Sequence, residues 1–148
     1  MTRTALLKHE FVRAIPDKLA GGTLYISIDY ATAAHKCCCG CGCEVVTPLS
    51  PTDWKFTYDG VSISLYPSIG NWSFHCRSHY WVDASRVVWA DQWSDEMIAA
   101  GRARDRFAKA NYYAGQQSVA QKSSRDAGGP AAGRSAQGFW SWLRGWWK

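Results

Sequence analysis

Five cysteines stand within seven residues, Cys37, Cys38, Cys39, Cys41 and Cys43, and a single further one, Cys76, follows. Cysteines this close in sequence seldom pair, because the disulfide strains the peptide between them. The first ten residues lack a long apolar core and a small-residue cleavage site, so they do not read as a secretory signal. A cytoplasmic location is expected, where thiols stay reduced. Metal ligation is the chemistry that best uses such a cluster. Zinc takes four thiolate or imidazole ligands, usually brought by two short segments from different parts of the chain. Here one segment is the Cys-rich loop and the other is Cys76-Arg77-Ser78-His79. Gly40 and Gly42 flank Cys41 and let the backbone turn tightly enough to converge several sulfurs. The expected ligands are Cys37, Cys39, Cys41 and Cys76, with His79 in place of Cys37 as the alternative. Cys38 and Cys43 are expected to be spare.

A structural zinc also answers a problem of size. The chain has 148 residues, and a core of about 80–100 residues leaves a thin stability margin that metals or disulfides often supplement. The rest of the pattern is mainly β. Thr23–Tyr30 reads as a strand with Leu24, Ile26 and Ile28 toward the core and Tyr25, Ser27 and Asp29 away from it. Trp54–Tyr58 and Val61–Leu65 alternate across Asp59-Gly60, a strong hairpin signal. Pro67–Asn71 reads as a loop, residues 72–82 as an interrupted strand and Arg86–Ala90 as another, giving about six short strands. Ser94 is a plausible N-cap for a helix, with Asp95 and Glu96 in the turn where the helix dipole favours acids. Met97, Ile98, Phe107 and Tyr112 would form its apolar stripe.

The expected organisation is a zinc-stabilised single β domain over residues 1–93, a C-terminal helix over 94–115, a flexible tail beginning as a Gly/Ser/Ala/Gln-rich linker over 116–138, and a Trp-rich interaction segment over 139–148. Phe139, Trp140, Trp142, Trp146 and Trp147 make that last segment a candidate for docking on a protein partner or a membrane surface. From Lys122 onward five basic residues face one acid, which accounts for most of the net charge of +5. The remainder is nearly neutral, which disfavours nucleic acid as a partner.

Five motifs in order, His35-x-Cys-x-Cys-Gly-Cys-Gly42, Val46-Thr-Pro-Leu49, Thr52-Asp-Trp54, Pro67-Ser-Ile-Gly-Asn-Trp72 and Cys76-Arg-Ser-His-Tyr-Trp81, resemble a bacterial family classed as a domain of unknown function. Its members occur in operons of ubiquitin-like conjugation systems, beside activating and conjugating enzymes. The resemblance covers about residues 9–90; Cys38 and Cys43 are additions to the family's sparser cysteine pattern. It implies zinc binding and a hydrolase that processes or removes a ubiquitin-like modifier, with that modifier and the conjugation-pathway proteins as partners.

A serine-type peptidase needs a nucleophile, a base within hydrogen-bond reach and oxyanion donors. Ser68 is the candidate nucleophile, His79 the base, and Asn71 an orienting or oxyanion group. Ser78 is a second candidate nucleophile, but it faces away from its neighbour His79 on a strand, which leaves His35 as its possible base. A zinc hydrolase with an open coordination position is a further possibility, disfavoured by the thiolate-rich ligand set. The competing class is a non-catalytic zinc-binding adaptor that recruits conjugation enzymes.

Overall fold

A computed structural model describes residues 2–126. The Trp-rich segment 139–148 and the later part of the expected linker lie outside the described residues. The first sheet is built from β1 (Lys8–Phe11), β2 (Thr23–Ser27), β3 (Thr32–Lys36) and β4 (Glu44–Pro48), in that order, with β1 parallel to β2 and the other pairs antiparallel. The second is an antiparallel meander of β5 (Lys55–Tyr58), β6 (Ile63–Gly70), β7 (His79–Asp83) and β8 (Arg86–Trp89). A single helix, α1 (Asp95–Asp126), follows. The fold is mainly β with a C-terminal helix, as the sequence pattern predicts.

One core joins the sheets. Leu24, Ile26, Ala33 and Val45 from the first pack with Ile63, Leu65, Ile69, Tyr80 and Val82 from the second, and Cys37 and Cys38 complete the cluster. The N-terminal segment ties the two together: Thr4 N–H donates to Cys38 O, Leu7 N–H to Ser85 O, and Ala5 O accepts from Val87 N–H. The chain then enters β1.

Several elements differ from the sequence expectation. There are eight strands among the described residues, and one that composition hides is β3. Ala33 and Ala34 carry little strand propensity, yet both are buried, one on each face of the sheet. The run expected to reach Tyr30 stops at Ser27, and Ile28 lies exposed in the turn, with Ala31 N–H closing onto Ile28 O. All of β2 is buried because residues from Val12 to Leu19 cover its second face, so Tyr25 packs there with Leu19 and Ala34. The β5–β6 hairpin forms with Phe56 opposite Leu65 and Tyr58 opposite Ile63. Its loop is longer than Asp59-Gly60, since Asp59 accepts the N–H groups of Val61 and Ser62.

Two corrections matter for function. Pro67–Gly70 is part of β6 rather than a loop, and residues 72–78 turn before β7 begins at His79. The helix starts as expected, with Ser94 Oγ accepting Met97 N–H, but it continues past 115 to Asp126. Gln, Ala and Lys beyond Gly115 favour helix, and no proline interrupts them before Pro130. Only Ile98 of the expected stripe is buried; Met97, Phe107 and Tyr112 are exposed. The first half of the helix is held instead by ion pairs, Arg77–Asp95 and Lys109–Asp53.

Candidate functional site: a thiolate cluster and a serine–histidine pair

The Cys-rich turn between β3 and β4 is set by positive φ at Gly40 and Gly42 and by two main-chain bonds, Cys37 N–H to Cys43 O and Gly40 N–H to Cys37 O. It brings Cys37, Cys39 and Cys41 to Cys76 from the turn before β7, and the four Sγ atoms lie within 4.8 Å of one another. Cys37–Cys39, Cys41–Cys76 and Cys37–Cys76 separations are 3.4, 3.7 and 3.9 Å. Tetrahedral zinc–thiolate bonds of about 2.3 Å put sulfurs roughly 3.8 Å apart, so the set fits a four-thiolate ion. Cys38 and Cys43 are outside it.

Electrostatics point the same way. Burial pushes the Cys37, Cys38 and Cys39 thiols up, Cys38 to about 12. Burial also raises Cys41, but bonds from the Cys43 N–H and from neighbouring thiols outweigh it and bring that group down to about 6. Four thiolates this close repel each other, and a bound cation removes the penalty. These four cysteines can hold a metal ion. Ser78 Oγ lies 3.1 Å from Cys37 Sγ and accepts from Asn71 Nδ2 at 2.9 Å, and its remaining proton is available to a Cys37 thiolate.

Strand alternation separates two chemistries on β7. Ser78 and Tyr80 face the cysteines and the core, while His79 and Trp81 face the other way. Gly70 pairs with His79 across the β6–β7 ladder, and Ser68, two residues earlier on β6, shares that face. The register shifts between Leu65 and Ile69, a bulge that re-aims the side chain it carries. Ser68 Oγ consequently sits 2.9 Å from His79 Nε2. The other ring nitrogen, Nδ1, is 2.9 Å from the Asp91 main-chain oxygen. A carbonyl can only accept, so Nδ1 carries a proton, and in the neutral imidazole Nε2 then presents its lone pair to the Ser68 hydroxyl. This is the tautomer a general base requires.

Aromatic rings enclose the imidazole. Trp72, Trp93 and Trp81 centroids lie 4.9, 5.2 and 5.6 Å from that of His79, and Trp72 stacks on Trp93. Gly70 and Gly101 make room for the stack: a Cβ at Gly70 would overlap Trp72 Nε1, and one at Gly101 would meet Trp93 at 3.0 Å. A cleft of about 390 Å³ remains, lined by Ser68, His79, Trp54, Trp72, Trp93 and the α1 residues Arg102 and Arg104 among others.

The structure brings Ser68 and His79 together and leaves the other candidates elsewhere. Asn71 faces the cysteines, its amide nitrogen donating to Ser78 Oγ and lying 3.9 Å from Cys37 Sγ. His79 is turned away from the thiolate set by its bonds to Ser68 and Asp91. His35 is fully buried against Tyr80, Nε2 to Oη 2.9 Å, and burial lowers its pKa to about 4, so it is a neutral core group. Sequence reasoning missed the Asp91 carbonyl, which has no side-chain signature, and the Trp72–Trp93 wall, which the density of tryptophan could have suggested. It also missed Ser78 as a hydrogen-bond partner of Cys37.

The class defined by this arrangement is a small two-sheet protein that carries a four-thiolate metal-type cluster beside a hydrogen-bonded serine–histidine pair. The family model described as "Bacterial ubiquitination-like system serine protease (BubE)" matches residues 11–90, and the chain belongs to the BubE family. No curated protein and no solved structure matches the chain. Among the described residues no helix is long and apolar enough to cross a membrane.

Proposed function

We propose that this chain is a serine-type peptidase that processes or removes a ubiquitin-like modifier in a bacterial conjugation pathway, with a structural zinc on Cys37, Cys39, Cys41 and Cys76. The observation that carries the reading is the 2.9 Å contact of Ser68 Oγ with His79 Nε2, in the tautomer fixed by Asp91 O. Membership of a family described as a serine protease supports it.

In this reading His79 takes the Ser68 proton as the hydroxyl attacks the scissile carbonyl and later gives it to the leaving amine; water then hydrolyses the acyl-enzyme. The Asp91 carbonyl holds the ring in the role a carboxylate has in a triad. Main-chain N–H groups at the β6 bulge beside Ser68 are the candidate oxyanion donors, a role that Asn71, facing the metal side, leaves open. A metal ion held by Cys37, Cys39, Cys41 and Cys76 would supply a fixed cross-link.

The test is cleavage of a modifier precursor from the same conjugation system by wild-type and Ser68→Ala protein. The substitution is expected to lower turnover at least about 10³-fold with metal content and melting temperature unchanged. Full activity in Ser68→Ala removes the assignment. Binding of the pathway proteins by a wild type that cleaves nothing favours the adaptor reading instead.

A further inference from the structure

We propose that the Ser68 cleft takes a carboxylate-bearing peptide segment, and that Arg102 and Arg104 of α1 are its specificity determinants. The inference rests on the serine-peptidase reading of Ser68 and His79 for its location, and on the charges around the cleft for its content. Both arginines line the cleft, and neither has an ion pair or hydrogen bond among the described residues. The nearby acids are already engaged. Asp105, on the same wall, pairs with Lys109 at 3.1 Å, and Lys109 also bonds Asp53 at 2.7 Å. Asp95 is taken by Arg77. Lys109 is shared between Asp105 and Asp53, so Arg102, Arg104 and Lys109 together leave one positive charge in surplus over the two carboxylates, and among the described residues both guanidinium groups are without an ion-pair partner.

The position of these groups is built. Gly101 lets α1 approach Trp93, Ile98 is buried one turn before it, and the Lys109–Asp53 pair ties the next turns to the β4–β5 connection. The indoles of Trp54, Trp72 and Trp93, which also line the cleft, lower the local dielectric and strengthen a guanidinium–carboxylate pair relative to open water. A second cavity of about 650 Å³ shares Trp54 and Pro67, the residue before Ser68, with the cleft and adds Leu49, Phe56 and Tyr66 beside the charged Asp53 and Lys55. A peptide lying across Ser68 therefore meets apolar surface on the Pro67 side and positive charge on the helix side. Arg102 and Arg104 lie beyond the stretch matched by the family model, which ends at residue 90.

The carboxylate has two possible sources, an acidic side chain or the free C-terminus of the substrate. The experiment uses full-length Ser68→Ala protein and fluorescein-labelled leucine-containing hexapeptides in three forms: a C-terminal acid, its C-terminal amide, and the amide with one glutamate. Anisotropy titration at low salt is expected to show at least one carboxylate form binding about tenfold or more tightly than the neutral amide. The double variant Arg102→Gln/Arg104→Gln, made in the same background, is expected to abolish that preference while its circular dichroism stays unchanged. Preference for the acid identifies a terminal carboxylate, and preference for the glutamate peptide an internal one. Equal binding of all three forms, no measurable binding, or a preference that survives the double variant overturns the proposal. Failure of wild type to cleave any modifier precursor would instead count against the peptidase reading, because the binding assay needs no turnover.

Discussion

Ser78 and Ser68 lie ten positions apart in sequence, Ser68 on β6 and Ser78 in the turn that enters β7, and their neighbours give them different work. Ser78 is 3% exposed, accepts from Asn71 Nδ2 and lies 3.1 Å from Cys37 Sγ, where its hydroxyl can donate to a thiolate. Hydrogen bonds of this kind orient a metal ligand and stabilise its charge, and their loss typically costs about 10–100-fold in metal affinity. Ser78→Ala is therefore expected to weaken zinc binding by about that factor, measured by competition with a chromogenic chelator. Peptidase activity lost through metal release should return when zinc is added in excess. Ser68→Ala should not be rescued in this way. Rescue of Ser68→Ala, or a Ser78→Ala protein with unchanged zinc affinity, would reverse the roles given to the two hydroxyls.

At the scale of elements, the cleft depends on the β6–β7 pair and on what its glycine omits. Gly70 stands directly opposite His79, and the space a side chain would fill there is occupied by the Trp72 indole. Gly70→Ala places a methyl in overlap with Trp72 Nε1. The ring must leave its stack with Trp93, so the cost is expected to be about 1–3 kcal/mol of stability. Activity should fall further than this stability loss explains, because the wall around His79 opens; denaturant melts and kcat at saturating substrate separate the two effects. A Gly70→Ala protein with wild-type activity would show that the tryptophan stack is dispensable. The same pair shows what was legible in the sequence. Ser68 and His79 could be named as partners, since a strand returning after a turn can bring residues eleven apart together, and the hairpin at Asp59-Gly60 announced itself. The bulge that aims Ser68 and the carbonyl that fixes His79 could not be read, because both belong to the backbone. Strand β3 was hidden for a related reason: its alanines are there because two layers press close on them, a tertiary demand that local propensity does not record.

For the whole molecule, the four-cysteine set is a further link between the two sheets, beside the core they share. Cys37, Cys39 and Cys41 belong to the β3–β4 turn of the first sheet, and Cys76 to the β6–β7 turn of the second. An ion held by all four closes the sandwich at the end where the turn before β7 delivers His79 to Ser68. Structural zinc sites supply about 10–16 kcal/mol of binding free energy at neutral pH, while small domains have a net stability of only about 5–15 kcal/mol. The metal-free chain is accordingly expected to lose both sheets in one transition rather than to loosen locally at the cysteines. Chelation under reducing conditions should abolish the cooperative thermal melt seen by tryptophan fluorescence and by far-ultraviolet circular dichroism together, and zinc should restore it. Cys76→Ser should behave as a weakened version of the same defect, since it leaves three ligands on one sheet and severs the link to the other. A metal-free protein that melts cooperatively at the wild-type temperature would mean that the shared apolar core alone holds the sheets together. In that case the cysteines would have to be explained by reactivity rather than by architecture.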